Sequence, residues 1–176
     1  MTRAVLALGP LAGRGYHGID VAREFVIRRV RAGDREAVTR ELAAYLAHIG
    51  EDLDGDGLDH DIAHWEVEYD GRAGVLLVVE SEVGEIVGTA AVRRLDPGVA
   101  EIKRMWVRPA CQGHGLGRRL MDRCLEEARG MGYRIVRLDS EQKMEAALHL
   151  YRSSGFTEIP DYNGNQRAQV WMERTL

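Results

Sequence analysis

Three alternate glycines in Gln112-Gly113-His114-Gly115-Leu116-Gly117-Arg118 follow an apolar run ending at Val107 and precede an amphipathic one. That arrangement could bind phosphate. Glycine adopts positive φ and lets the main chain approach a ligand closely, so several N–H groups can converge on one anion. A helix starting there adds free amides and the positive end of its dipole, each charge contact worth about 0.3–1 kcal/mol when exposed. The spacing matches neither of two familiar glycine signatures. A Rossmann turn reads G-x-G-x-x-G and a P-loop ends in G-K-[ST], whereas here the third glycine comes two residues after the second and Arg118 follows.

Two other groups of residues suggest metal chemistry and fall short of it. Asp52-Leu53-Asp54-Gly55-Asp56-Gly57 opens like a calcium loop, but position eight is Asp59 in place of an aliphatic residue and position twelve is Ala63 in place of a bidentate glutamate. The segment reads instead as a solvated acidic loop, whose six carboxylates from Glu51 to Asp61 could attract a cationic amine. His60 and His64 stand at i and i+4, as in H-E-x-x-H. Asp61 replaces the glutamate and no third ligand has a defined spacing, so no metal is expected.

The elements that position the glycine loop follow from periodicity. Glu24–Val30 reads as a strand, and Asp34 as a cap for a helix over 35–49, where Ala37, Val38, Leu42, Tyr45, Leu46 and Ile49 recur at helical spacing. A short helix is expected from about Asp59 to Tyr69, then strands over Val75–Glu80, Glu85–Leu95 and Val99–Val107, antiparallel to one another. The helix after the loop spans 115–131, with Leu116, Leu120, Met121, Cys124, Leu125 and Ala128 on its apolar stripe. Arg134–Leu138 is a strand, Gln142–Ser154 a helix stopped by Gly155, and Phe156–Ile159 and Gln166–Glu173 close the sheet. Strand, loop, helix and strand from 99 to 138 make a crossover, so its two strands run parallel.

At 176 residues the chain is one ordinary domain, long enough to bury about 70% of its unfolded surface. A formal charge of −4 argues against a nucleic-acid binder. Cys124 lies on an apolar stripe and Cys111 in the loop, so no disulfide framework is expected and the reducing cytoplasm fits. The apolar stretch Ala4–Leu8 is cut by Gly9-Pro10, too short for a membrane span and a poor signal peptide. Residues 1–23 therefore read as an N-terminal extension to a domain over 24–176.

Gln112-Gly113-His114-Gly115-Leu116-Gly117 after a strand ending in valine resembles the acetyl-CoA pyrophosphate loop of the GNAT superfamily of N-acetyltransferases. Two further segments carry the resemblance: Glu101-Ile102-Lys103-Arg104-Met105-Trp106-Val107 is similar to the family's fourth strand. Ala147-Leu148-His149-Leu150-Tyr151-Arg152-Ser153-Ser154-Gly155-Phe156 is similar to its A-x-x-L-Y-x-x-x-G-F signature.

The resemblance implies an α/β domain with a mixed, mostly antiparallel sheet flanked by helices, in which the parallel pair splays apart. It implies acetyl-CoA as co-substrate, with its phosphates on the amides of Gln112, Gly113, His114, Gly115, Leu116, Gly117 and Arg118 and its pantetheine arm on the main chain of Met105, Trp106 and Val107. Tyr151 matches the tyrosine near the thioester sulfur that acts as general acid. Glu101, six residues before Val107, matches the base of histone-modifying relatives; Asp139, twelve residues before Tyr151, matches that of ribosomal-protein acetylating relatives. One departure is Met144, where many relatives carry an asparagine contacting the cofactor. The expected reaction is direct acetyl transfer to a primary amine, on a small molecule or a protein, with no metal. A non-catalytic acyl-CoA sensor is the alternative. The oligomeric state is open, a homodimer included.

Overall fold

The computed structural model describes residues 25–55, 57 and 59–176; the expected extension over 1–23 lies outside them. Val75, Leu76, Leu77, Val78 and Val79 are all buried, which a strand achieves only when both of its faces are covered. That strand is β2 (Val75–Ser81). With β1 (Phe25–Arg29), β3 (Ile86–Asp96), β4 (Val99–Val107), β5 (Ile135–Ser140), β6 (Thr157–Ile159) and β7 (Val170–Thr175) it forms a seven-stranded sheet. The order is β1-β2-β3-β4-β5-β7-β6, and β4 with β5 is the parallel pair in an otherwise antiparallel sheet. The expected mixed α/β architecture is the one found.

Because side chains alternate along a strand, the two faces of β2 feed two cores. Val75, Leu77 and Val79 join the core under α4 (Leu116–Gly130), with Leu120, Met121, Cys124 and Ala128 from the predicted stripe. Leu76 and Val78 join Val38 and Leu42 of α1 (Arg35–Ile49) on the other face. Two single-turn helices, α2 (His60–Ala63) and α3 (Trp65–Glu68), complete that second layer. They replace the single helix expected from Asp59 to Tyr69, because His64 leaves helical geometry at φ −123° and ψ 28°. The helix expected over Gln142–Ser154 is α5 (Glu145–Ser153), three residues later at its start. Asp34 precedes α1 without capping it. Its carboxylate is taken by the Arg31 main-chain N–H (2.7 Å) and the Arg28 guanidinium (2.6 Å).

Two irregularities in β4 create the site. Its pairing with β5 lasts only from Val99↔Ile135 to Glu101↔Arg137, after which the strands part as expected. On its other edge, Ala91 pairs with Lys103 but Thr89 pairs with Trp106, so Arg104 and Met105 together oppose Ala90 in a β-bulge. Arg104 sits there at φ 57°, a left-handed conformation that costs a non-glycine residue about 1–2 kcal/mol. The Thr89 hydroxyl holds the bulge by donating to the Arg104 carbonyl (2.9 Å).

Candidate active site

The cradle consists of main chain. Gly113 and Gly115 have φ of 84° and 70°, which favours glycine at both, and a Cβ on either would meet nothing within 4 Å, so the loop is open on that side. Gly117 differs from expectation: it has no positive φ and lies inside α4, where a Cβ would come 3.4 Å from Leu150 Cδ2. Its role is close packing of α4 against α5. Among the described residues, none of the main-chain N–H groups from Gly113 to Arg118 donates to a protein acceptor; Arg119 is the first to do so, to the Gly115 carbonyl (3.1 Å). A run of open amides at the positive end of a 15-residue helix is the donor set a diphosphate needs.

Side chains of the loop secure it. Gln112 donates from its amide to the Val107 carbonyl (3.0 Å). The Arg118 guanidinium donates to the Ser153 carbonyl (3.2 Å) and the Ser154 hydroxyl (2.8 Å), fastening the start of α4 to the end of α5. Leu116 is in the core, and His114 is exposed, its ring 5.8 Å from that of Phe25.

Beyond Glu101 the edge of β4 facing β5 has no strand partner. Arg108 N–H donates to the Val87 carbonyl (2.9 Å), and antiparallel strands direct alternate residues to opposite edges. Hence Trp106 turns its main-chain groups to β3, while Met105 and Val107 turn theirs to the gap. The Trp106 side chain packs away from the gap, 4.8 Å from the His48 ring, and donates through Nε1 to Glu41 (3.3 Å).

A cleft opens where β4 and β5 separate, with Lys103, Met105, Asp139, Met144 and Tyr151 in its walls. Tyr151 is buried, yet its hydroxyl bonds to none of the described residues. Burial, followed by the nearby Tyr45 and Asp139, pushes its pKa above the ordinary phenol value of 10.0, so it stays protonated at any working pH. Asp139 Oδ2 accepts from the side-chain amides of Asn163 (2.6 Å) and Asn165 (3.0 Å), while Oδ1 accepts nothing from the described residues.

Glu101 is placed differently from these two. It is fully buried at the last paired position of β4, and it does not line the cleft. One oxygen accepts from Arg93 Nε (2.7 Å) and the other from the Tyr162 hydroxyl (2.8 Å) and Asn163 (3.3 Å). Its ion-pair partner is Arg93, not the neighbouring Lys103.

The acidic loop is where the structure departs most from the sequence reading. Asp59 and Asp61 are buried, not solvated, and the Arg104 guanidinium lies between them, 2.9 Å from Asp59 and with Nε donating to Asp61 at 3.0 Å. Arg167 adds ion pairs to Asp59 (2.9 Å) and Glu51 (3.0 Å). Burial alone would raise the Asp61 carboxyl; the hydrogen bonds and charge of Arg104, with Lys103 and Tyr69, outweigh it and hold the pKa at about 2. Glu51, Asp59 and Asp61 are therefore engaged by Arg104 and Arg167, while Asp52 and Asp54 are exposed as expected. The one sequence signal for this cluster was a pair of cations, Lys103-Arg104, in the middle of an apolar strand. His60 and His64 stack with ring centroids 4.5 Å apart, and the described residues contain no group of three ligand-type side chains able to hold a metal.

A sequence profile described as the acetyltransferase (GNAT) family matches residues 37–156. This chain belongs to that family. An uncharacterized N-acetyltransferase of Schizosaccharomyces pombe is 33% identical over 69% of this GNAT chain and 75% of its own length. An L-amino acid N-acyltransferase of Escherichia coli is 33% identical over 74% of this chain and 78% of its own. The solved structure of a Salmonella typhimurium acetyltransferase with its cofactor acetyl-CoA superposes with a TM-score of 0.66 at 25% identity, covering 86% of this chain and 94% of that one. The protein is an acyltransferase of the acetyl-transferring kind, and none of its described helices is long and apolar enough to cross a membrane.

Proposed function

We propose that this GNAT enzyme moves the acetyl group of acetyl-CoA onto a primary amine by direct attack. The observation that carries the reading is a set of open donors: unbonded amides from Gly113 to Arg118 and a β4 edge at Met105 and Val107 without a strand partner, with Met105 and Tyr151 both lining the cleft. The amides would hold the diphosphate, with His114 and Leu116 contributing main chain only; Gln112 departs from expectation, because its main-chain N–H already donates to the Pro109 carbonyl (3.2 Å). The β4 edge would pair with the pantetheine arm in the manner of an added strand. Trp106 supports that edge by anchoring it to Glu41 of α1. The acetyl-CoA-bound Salmonella relative supports the choice of co-substrate.

Acetyl transfer to an amine forms a C–N bond, breaks a C–S bond and moves a proton from nitrogen to sulfur. Asp139, with one oxygen open to the cleft, takes or relays the proton of the incoming ammonium. Glu101 has both oxygens occupied and acts at most through its shared partner Asn163. Tyr151 meets the departing sulfur. A thiol has a pKa of about 8.5, below that of the phenol, so Tyr151 steadies the thiolate by a hydrogen bond while the amine's released proton finally neutralises it. The Met105 N–H would polarise the acetyl carbonyl. Neither Cys111 nor Cys124 lines the cleft, in keeping with attack by the amine itself.

The free Tyr151 hydroxyl and Asp139 oxygen argue against a sensor without turnover. Thiol release from acetyl-CoA with a panel of amines tests the proposal. Amine-dependent release is expected, with Asp139→Asn costing about 100-fold or more and Glu101→Gln less. Calorimetry without acetyl-CoA binding, or binding without amine-dependent release, would overturn it.

A further inference from the structure

Resting on the transferase reading above, we infer that the acceptor is a free α-amino acid, held as a zwitterion with its carboxylate on Lys103 and its ammonium on Asp139. The argument is one of charge matching within the cleft. Its charged lining consists of Asp59, Arg104, Arg167, Glu141, Lys103 and Asp139. Arg104 pairs with Asp59 and Asp61, Arg167 with Asp59 and Glu51, and Glu141 with Lys143 (2.8 Å). Among the described residues this leaves one cation and one anion without an opposite charge in ion-pair range: Lys103 and Asp139.

Their placement is set by the strands. Glu101 and Arg137 are the last paired residues of β4 and β5, and Lys103 and Asp139 lie two positions further along each strand. Side chains two residues apart share a face, so both stand beside the linked Glu101 and Asn163 on the face opposite α4. The bulge at Arg104 matters too. In a regular strand Lys103 and its successor would point to opposite faces, yet here both line the same cleft, and Arg104 is taken up by two carboxylates, Asp59 and Asp61. Asp59, Asp61 and Glu51 are thus engaged by Arg104 and Arg167, so an ammonium finds Asp139 as the lining carboxylate outside any ion pair, and a carboxylate finds Lys103 as the lining cation.

Lys103 is also poorly solvated. Burial lowers its pKa below the ordinary value of 10.5, with Arg104 and Arg93 adding to that effect and Glu101 and Asp61 opposing it. An arriving carboxylate would supply the missing counter-charge. A protein N-terminus offers an ammonium with no carboxylate on the same carbon, and a polyamine offers two cations. Neither fits a cleft with one unmatched charge of each sign.

Thiol release measured with a panel of free L-amino acids, each beside its carboxamide and its decarboxylated amine, decides the matter. The best amino acid is expected to exceed both of its relatives by about 10- to 100-fold in kcat/KM, through KM, as befits a charged hydrogen bond. Lys103→Met is expected to bring that ratio close to one, and Lys103→Arg to restore part of it. Carboxamides or decarboxylated amines acetylated as well as amino acids by the unaltered chain would overturn the inference while leaving the transferase reading intact. So would a ratio unmoved in Lys103→Met. No release with any amine would overturn both. Should Lys103→Met fail to fold, the comparison among acceptors with the unaltered chain is decisive.

Discussion

Between Gly113 and Arg118 the cradle's groups are main-chain amides of consecutive residues, whereas the charged wall of the cleft draws side chains from four separate stretches. These are the 51–61 loop, β4, β5 and the segment around Arg167. The cradle needs a permissive backbone and a helix start. The wall needs its charges brought together from far apart and cancelled, because a buried charge is tolerable only when paired. Damage to the wall should therefore appear first as lost stability, and damage to the cradle as lost cofactor affinity.

The sharpest test of that contrast is Arg104→Met. It strands Asp59 and Asp61 in the interior, and a fall in unfolding free energy of about 3–5 kcal/mol is expected in urea titration. A loss below about 1 kcal/mol would mean the wall is no more demanding than the cradle. Next in size is Tyr151→Phe, expected to lower kcat about 10- to 1000-fold. Calorimetric affinity for acetyl-CoA should persist, since the amides proposed to hold the phosphates are main-chain groups of a separate segment, Gly113 to Arg118.

Acid probes the wall and not the main-chain cradle; Asp34 and Glu127, outside both, are likewise held below the ordinary carboxylate range. The Asp61 carboxyl, held at about 2 against an ordinary 3.8, favours the folded state above pH 4, an advantage lost as pH falls toward 2. It amounts to about 2 kcal/mol at 1.36 kcal/mol per pH unit. Unfolding midpoints measured from pH 5 to pH 2 should fall more steeply for the unaltered chain than for Asp61→Asn. The smallest effect belongs to the cradle: Gly113→Ala places a Cβ in open space at φ 84°, costing about 1–2 kcal/mol of backbone strain. A rise of about tenfold in KM for acetyl-CoA is expected, with kcat nearly preserved. A kcat defect instead would show that the loop does more than bind.

The cradle, α4 and its stripe, the strand succession and the parallel crossover were legible in the sequence because local rules decide them: glycine at positive φ, apolar spacing, a helix after a strand. Gly117 shows the limit of even that legibility. It looked like a third flexible residue and is a contact between α4 and α5. Glu101 looked like a base and is sealed by Arg93, Tyr162 and Asn163, from residues as much as 62 positions away.

By itself, then, the sequence determined the family, the fold class, the glycine loop ahead of α4 and the place of Tyr151, since each depends on neighbours within a few residues. Tertiary structure alone decided which charges survive to meet a substrate. Pairing of Arg104 with Asp59 and Asp61 spans more than 40 positions, and no local pattern reports whether a carboxylate ends in water or against a guanidinium. That cancellation leaves Lys103 and Asp139 facing the gap, because electrostatic partnership is set by distance in space.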